Sequence, residues 1–205
     1  MSIGGFPAAT STFLVATMER HLRELVEECA IAPQTQTRLF SLHHGIALKG
    51  EEQVERWRAK AAAYPDGLQR AMLEENLTFE RFRYAAEMLA ARDDLLALYE
   101  IFVETSRRIL GALLGLNRIY LPAPEYLKSM DETIGLMAIK PPDLPARLKR
   151  SFRTEPTAAV VALGELIEET LVLVDTSVSG FDTVPYRTNV IRRRIPSDAP
   201  PVGPE

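Results

Sequence analysis

The chain has 205 residues and a formal net charge of -4, with 46% hydrophobic and 25% charged residues. This composition excludes a largely disordered or collagen-like chain and predicts a folded protein with a sizeable core. The acidic excess gives no global positive field, so the sequence does not favour nucleic acid as a partner. Because Cys29 is the single cysteine, an internal disulfide and a four-cysteine zinc site are both excluded.

Targeting and membrane segments are not indicated either. Residues 1–20 lack the basic start and unbroken apolar run that a secretory signal requires. The most apolar stretch, Leu95 to Leu116, is interrupted by charged residues and is not typical of a membrane span. We therefore expect a cytoplasmic protein without a membrane partner.

Apolar residues recur at helical spacing along most of the chain, and alternating strand patterns are nearly absent. This pattern predicts an all-α fold, a helical bundle of about seven to nine helices. It places an N-terminal extension at 1–10, the bundle at 11–180 and a C-terminal tail at 181–205. The tail is proline-rich and is expected to be disordered from about residue 195.

Capping residues and prolines set the expected helix bounds. In the first half, we predict helices from Ser11 or Thr12 to about Ala30, from Pro33 to Lys49, from 51 to 63, and one bent helix or two short ones over 65–91, where Thr78 is a candidate cap. In the second half, we predict helices at 94–118, 125–136, 144–152 and from Pro156 onward, with 94–118 at the centre of the bundle and the helical pattern fading after Gly180.

Complete catalytic motifs are missing from the sequence. It contains no phosphate loop, dinucleotide-binding glycine motif, nucleophile elbow or HExxH zinc motif. His43 and His44 are adjacent and point about 100° apart on a helix, which does not suit a shared metal ion. The sequence therefore predicts no catalytic residue and no metal site within this chain.

Two alternatives depend on short spacings. Arg38 and His43 lie five residues apart on a predicted helix and resemble the pair of HEPN-type ribonucleases, in which histidine moves a proton and arginine stabilises phosphate charge. A solvated or packed helix face explains the same spacing. Gly111 and Gly115 permit close helix approach. Together with the apolar last helix, they would form the interface of a homodimer or a toxin–antitoxin-type partner.

The most distinctive stretch is 113–122, where Asn117 and Arg118 close a very apolar helix before Tyr120 and a proline. Such a helix end is a plausible wall of a polar pocket. This stretch, with Lys128 following it, resembles the helical C-terminal region of DUF4037-type nucleotidyltransferase-like proteins, which are related to aminoglycoside nucleotidyltransferases. The segments at 63–66, 92–95, 139–144 and 147–148 are similar in the same order, so the resemblance covers roughly 33–178.

The resemblance implies an acceptor-binding helical domain. On that basis Asn117, Arg118, Tyr120 and Lys128 would contact a small-molecule acceptor or a phosphate group. Asp94 and Glu74 would act at the same cleft. The structural alternative for each of the six is a helix cap or a surface ion pair.

The resemblance also implies an N-terminal α/β domain that these residues do not provide. Members of the family hold a metal-bound triphosphate with a Gly-Ser turn and an Asp-x-Asp pair, whereas this sequence has no Asp-x-Asp. The chain is therefore expected to be a truncated enzyme or a stand-alone helical protein, inactive alone. It would need no cofactor by itself, and Mg²⁺ and a nucleoside triphosphate once a catalytic domain is supplied.

Overall fold

The computed structural model describes residues 2–3, 6–7, 12–123 and 127–188. These residues confirm the all-α prediction, with one small exception near the N-terminus. There, strands β1 (Ser2–Ile3) and β2 (Phe6–Pro7) pair antiparallel, so that Ser2 lies opposite Pro7 and Ile3 opposite Phe6. Most of the predicted tail, including the part expected to be disordered, lies outside the described residues.

The described helices follow the chain order of the predicted pattern. They are α1 (Val15–Leu22), a π-helical turn (Arg23–Glu27), α2 (Pro33–His44), α3 (Glu51–Ala62), α4 (Asp66–Asn76), α5 (Glu80–Ala91), α6 (Leu95–Leu116), α7 (Met130–Gly135), α8 (Leu144–Ser151), α9 (Pro156–Ser177) and α10 (Val184–Thr188). In the described part of the chain, no helix has the length and apolar character needed to cross a membrane.

The chain divides into two compact units, where the sequence pattern indicates one bundle. Over the described residues, the first unit draws on Met1–Glu75 and Leu110–Lys140, and the second on Asn76–Ile109 and Pro141–Glu205. The division falls within α6, which contributes residues to both units.

The first unit packs α1, α2 and α3 around a core that includes Met18, Leu25 and Leu39, all fully buried. Polar side chains lock these helices to one another. Trp57 Nε1 on α3 donates to Glu19 Oε1 on α1 over 2.8 Å, and Gln36 Nε2 on α2 donates to Met72 Sδ on α4 over 3.3 Å. The helix positions are thus set by packing together with a few specific contacts between helices.

The predicted first helix is shorter and less regular than expected. Its first turn begins at Val15, and the residue before it, Leu14, provides no side-chain cap, so Thr12 does not cap the helix. From Arg23 the hydrogen-bond step widens, since Glu28 N–H donates to Arg23 O over 2.9 Å. The segment then ends at Cys29, which has a positive φ of 53° and is half-buried.

The second predicted helix ends earlier than its apolar pattern indicates. Helix α2 begins at Pro33 as predicted but stops at His44, where Gly45 is extended. Ile46 and Leu48, which the predicted helix includes, lie beyond the observed end and are 84% and 68% exposed. Arg58 explains the stop, because its guanidinium donates to the carbonyls of Leu42 and Gly45, satisfying acceptors that a longer helix would use internally.

Other boundaries are sharpened by the structure. The stretch 65–91 forms two helices, and Thr78 does not cap the second, because its hydroxyl instead accepts a hydrogen bond from Arg108. The helix predicted at 125–136 is described only from Met130, since 124–126 lie outside the described residues.

The second unit packs α9 against α5 and α8. Arg147 on α8 forms a two-pronged ion pair with Glu169 on α9, at 2.7 and 2.6 Å. Helix α10 is an addition to the predicted pattern. Phe181 and Thr183, just before this helix, are buried, and the Arg187 guanidinium reaches Asp175 on α9 at 2.7 Å.

Candidate functional site

The C-terminal end of α6, in the first unit, closes with a Schellman motif. Ile119 N–H donates to Leu114 O, and Arg118 N–H donates to Gly115 O, both over 3.0 Å. Arg118 occupies the position where glycine is usual and has a φ of 57°. Holding a non-glycine residue in this conformation costs about 1 kcal/mol, so its side chain must be retained for another reason.

The Arg118 side chain supplies that reason. Its guanidinium donates to Tyr64 O over 3.1 Å, to Gln69 Oε1 over 3.3 Å and to the Asp66 carboxylate. These acceptors surround the start of α4 and fasten it to the end of α6. The ion pair with Asp66 is largely exposed and therefore contributes little to stability. The hydrogen bond to the Tyr64 carbonyl is the contact that positions the start of α4.

Asn117 connects the same helix end to the segment after α7. Its Nδ2 donates to Leu113 O over 2.8 Å and to Ile139 O over 2.7 Å. Its Oδ1 accepts from Ala138 N–H over 2.9 Å and from Ile139 N–H over 2.8 Å. The amide uses both donors and its acceptor on backbone groups, so Asn117 has no hydrogen-bonding capacity left for a substrate.

Tyr120 is a core residue with a polar anchor. Its ring is 5% exposed and packs against Tyr64 with 4.9 Å between ring centroids, and its hydroxyl donates to Ala61 O over 3.0 Å. Burial raises the pKa of this phenol to about 12, with a further contribution from Cys29. The phenol is therefore neutral at physiological pH and serves the packing of α3.

Three residues of the predicted site come together at the α6 end, namely Asn117, Arg118 and Tyr120. The other three do not join them through any contact in the described part of the chain. Lys128 is exposed, and Glu74 pairs with Arg70 over 2.9 Å on α4. Asp94 belongs to the second unit, where it is exposed at the start of α6.

The residues of the ribonuclease alternative point to different neighbours. Arg38 Nη1 lies 3.5 Å from His21 Nε2, on α1, whereas the His43 ring stacks on Tyr120 with 6.0 Å between centroids. Five residues along a helix separate side chains by about 140°, and the two contacts reflect that angle. The structure does not bring Arg38 and His43 together.

The glycines of the dimer alternative are not on a free surface. Gly111 and Gly115 are both buried. A Cβ at Gly115 would lie 2.7 Å from Met72 Cβ, so the close approach is used within the first unit, by α4. The last long helix likewise buries eight of its side chains, Leu163 and Leu171 among them. The glycine part of the expected interface is therefore buried, whereas Val161 and Val172 of the last long helix are 59% and 51% exposed.

The first unit contains an open cavity between α1 and α2, which the sequence pattern does not predict. Its volume is about 570 Å³, and its lining consists of Thr12, Phe13, Leu14, Thr17, Thr37, Arg38 and Ser41. On α2, Ser41 lies three residues after Arg38 and four after Thr37, so it shares a face with each of them. That polar spacing is a feature of α2 that sequence reasoning missed, because only the arginine was weighed.

Electrostatics leave the Arg38 charge without a counter-ion. His21, its only described partner, is 6% exposed, and desolvation lowers its pKa, with Arg38 and Arg20 lowering it further. The His21 ring is therefore neutral at pH 7. Because a guanidinium only donates, His21 Nε2 accepts and the ring proton lies on Nδ1, which has no partner in the described structure.

Metal ligands do not cluster in the described residues. No group of three or more histidine, cysteine, aspartate or glutamate side chains there is placed to hold a metal ion. The described residues thus do not fit the metal-bound triphosphate that the family resemblance implies.

Comparison with known families gives a match for one segment of the chain. Residues 33–127 match the family model "Domain of unknown function (DUF4037)". Comparison with curated proteins and with solved structures gives no match. The DUF4037 part of the predicted resemblance is confirmed, and the matched segment runs from the start of α2 beyond the end of α6. It includes Arg38, Asn117, Arg118 and Tyr120, whereas Lys128 lies just past its end.

Proposed function

We propose that this chain is the helical substrate-binding or interaction domain of a nucleotidyltransferase-like protein. Two observations support the proposal. The DUF4037 match covers the segment with the most distinctive resemblance, and the further landmarks at 139–144 and 147–148 follow in the expected order. The relation of this segment to nucleotidyltransferases rests on that resemblance.

The observation that carries substrate binding is the cavity beside Arg38. It is an open cavity of mixed polarity, and its volume lies within the common size range of small-molecule sites. One wall comes from α2, inside the matched segment. We place the substrate site at this cavity and not at Asn117, Arg118 and Tyr120, because those three side chains already donate to acceptors within the protein.

The α6 end then has a positioning role. By tying Tyr64, Asp66 and Ala61 to the residues after α6, Arg118 and Tyr120 set where α3 and α4 lie within the first unit. We expect substitutions there to act on stability, and substitutions at Arg38 to act on binding.

Nucleotidyl transfer would be supplied by a separate catalytic domain. The reaction needs carboxylates that hold the metal-bound triphosphate, and these 205 residues contain no Asp-x-Asp pair. A partner domain of that type would bring Mg²⁺ and the nucleoside triphosphate, and this chain would present the acceptor.

Reading the coding DNA around this gene tests the proposal directly. We expect a Gly-Ser turn followed by Asp-x-Asp either in frame upstream of Met1 or in an adjacent gene whose product binds this chain. As a biochemical arm, the purified 205-residue chain is incubated with Mg²⁺ and labelled nucleoside triphosphates, and no incorporation into acceptors is expected. Incorporation by the chain alone, or the lack of any such catalytic partner, would contradict the proposal.

A further inference from the structure

The cavity between α1 and α2 carries a positive charge that no described carboxylate neutralises. Arg38 is exposed and is the one charged residue of the described lining. Its contact with neutral His21 at 3.5 Å leaves most of its five N–H donors unused. A planar guanidinium with free donors recognises carboxylate or phosphate oxygens in pairs. The first element of the site is therefore an anion-binding group.

The hydroxyl groups of the lining fall into two classes. Thr37 and Ser41 donate to Pro33 O and Thr37 O, over 3.0 and 2.9 Å, so toward the cavity they offer only lone pairs. The hydroxyls of Thr12 and Thr17 have no hydrogen-bond partner in the described residues and are free to donate. A ligand that matches this lining therefore carries acceptor oxygens for Thr12 and Thr17 and hydroxyl donors for Thr37 and Ser41.

The remaining lining is apolar. Phe13 contributes a half-buried ring, and Leu14 is 75% exposed at the same wall. Carbon atoms of a ligand that cover these side chains would remove apolar surface from water. The cavity therefore has a place for a carbon body beside the place for an anion.

We propose that this cavity binds a small phosphate monoester whose carbon body carries hydroxyl groups, with Arg38 gripping the phosphate. A phosphate monoester offers three terminal acceptor oxygens, one more than a carboxylate, and a larger negative charge for the Arg38 fork and the Thr12 and Thr17 hydroxyls. The hydroxyls of the ligand donate to Thr37 and Ser41. This inference deepens the proposed function, on which it rests, by naming the class of acceptor.

Calorimetric titration of the full chain tests the assignment, with ribose 5-phosphate, ribose and inorganic phosphate as probes. We expect ribose 5-phosphate to bind, inorganic phosphate to bind more weakly and ribose not to bind. Arg38→Gln should weaken ribose 5-phosphate binding about tenfold or more, because a charge-assisted contact is lost. Arg38→Lys keeps the positive charge but loses the paired donors of the guanidinium, so its affinity for ribose 5-phosphate should lie between those of the parent chain and Arg38→Gln.

Lys49→Gln is the matched control, since Lys49 is an exposed cation of the same unit that is not part of the cavity lining. Its affinity should equal that of the parent chain. Equal binding of ribose and ribose 5-phosphate, unchanged affinity in a folded Arg38→Gln variant, or no binding of ribose 5-phosphate would each overturn the assignment. Such a failure beside a catalytic partner found in the coding DNA would remove the ligand class alone and leave the proposed function standing.

Discussion

At the C-terminal end of α6 the Arg118 guanidinium donates to three acceptors, whereas at the cavity wall Arg38 has one described contact, to a neutral histidine. Both arginines are exposed residues of the same unit, and both lie in the DUF4037 segment. Their surroundings differ in how many donors are already used. An arginine that fastens two helices is poorly placed to bind a ligand, and an arginine without a counter-ion is well placed to do so.

The same comparison extends to their neighbours. Asn117 and Tyr120, beside Arg118, direct their polar atoms at backbone groups of distant segments. Thr12 and Thr17, across from Arg38, direct their hydroxyls at no described partner. If this distinction is correct, substitutions at the α6 end lower the free energy of unfolding, and substitutions in the cavity leave it unchanged.

The largest effect is expected for Asn117→Ala. The substitution removes four hydrogen bonds to backbone groups and leaves the part-buried N–H and carbonyl of Ile139 without these partners, whereas Leu113 O keeps its bond from the backbone N–H of residue 117. We expect a loss of about 2–3 kcal/mol in the free energy of unfolding, measured by urea denaturation. Lys128→Ala is the control and should change stability by less than about 0.5 kcal/mol. Equal losses in the two variants would remove the distinction between committed and free polar groups.

Gly115→Ala probes the packing beneath the same helix end. The new Cβ would lie 2.7 Å from Met72 Cβ, so α4 has to shift, which we expect to cost about 1–3 kcal/mol. Gly135→Ala is the matched control, because a Cβ at this position would meet nothing within 4 Å. The substitution also replaces a glycine within a helix by alanine. It should stabilise by about 0.5–1 kcal/mol. A neutral Gly115→Ala variant would show that α4 is not held closely against α6.

Tyr120→Phe removes the hydrogen bond to Ala61 O and should cost about 1 kcal/mol near neutral pH. Its pH dependence is more diagnostic. Because the folded pKa of the phenol is raised to about 12, above an unfolded value of about 10, its contribution is complete below pH 10 and is lost as pH rises toward 12. Urea denaturation at pH 8 and pH 11 should therefore show the advantage of the parent chain over Tyr120→Phe narrowing. A constant difference would argue against a buried phenol.

Arg118 allows the backbone and the side chain to be separated. Arg118→Ala loses the side-chain contacts and keeps a strained φ of 57°, whereas Arg118→Gly loses the same contacts and relieves the strain. We expect the glycine variant to be more stable than the alanine variant by about 1 kcal/mol in thermal or urea unfolding. The reverse order would show that the helix end does not hold this conformation in solution.

Local chemistry in the sequence was sufficient for much of this architecture. Pro33 and Pro156 in the first turns of α2 and α9, and the paired acids at the start of α3, placed the starts of those helices within a residue or two. The early stop of α2 was not predictable locally, because it depends on Arg58, which reaches the carbonyl of Leu42 from 16 residues away. The π-helical turn after α1 likewise has no motif of its own.

In the candidate site, too, the sequence predicts local features but not the contacts with distant residues. Asn117, Arg118 and Tyr120 stood out because polar residues closed a very apolar helix, yet their roles depend on partners at Ile139, Tyr64 and Ala61, which are 22, 54 and 59 residues away. The cavity joins residues near Thr12 to residues near Arg38, and no short motif spans that separation. The cavity can bind an anion because no described carboxylate lies beside Arg38, and the fold, not a local motif, determines which side chains lie there.

Arg38→Ala is expected to have the smallest effect on stability and therefore tests the comparison most severely. The guanidinium contributes one long contact, at 3.5 Å, to a neutral ring, so its removal should change the free energy of unfolding by less than about 0.5 kcal/mol. Removing a positive charge beside His21 should also raise the pKa of that ring, since Arg38 is one of the groups that lower it. An NMR titration of His21 would report this shift while denaturation reports stability. A large loss of stability would mean that Arg38, like Arg118, is committed to the fold, and the cavity would lose its anion-binding group.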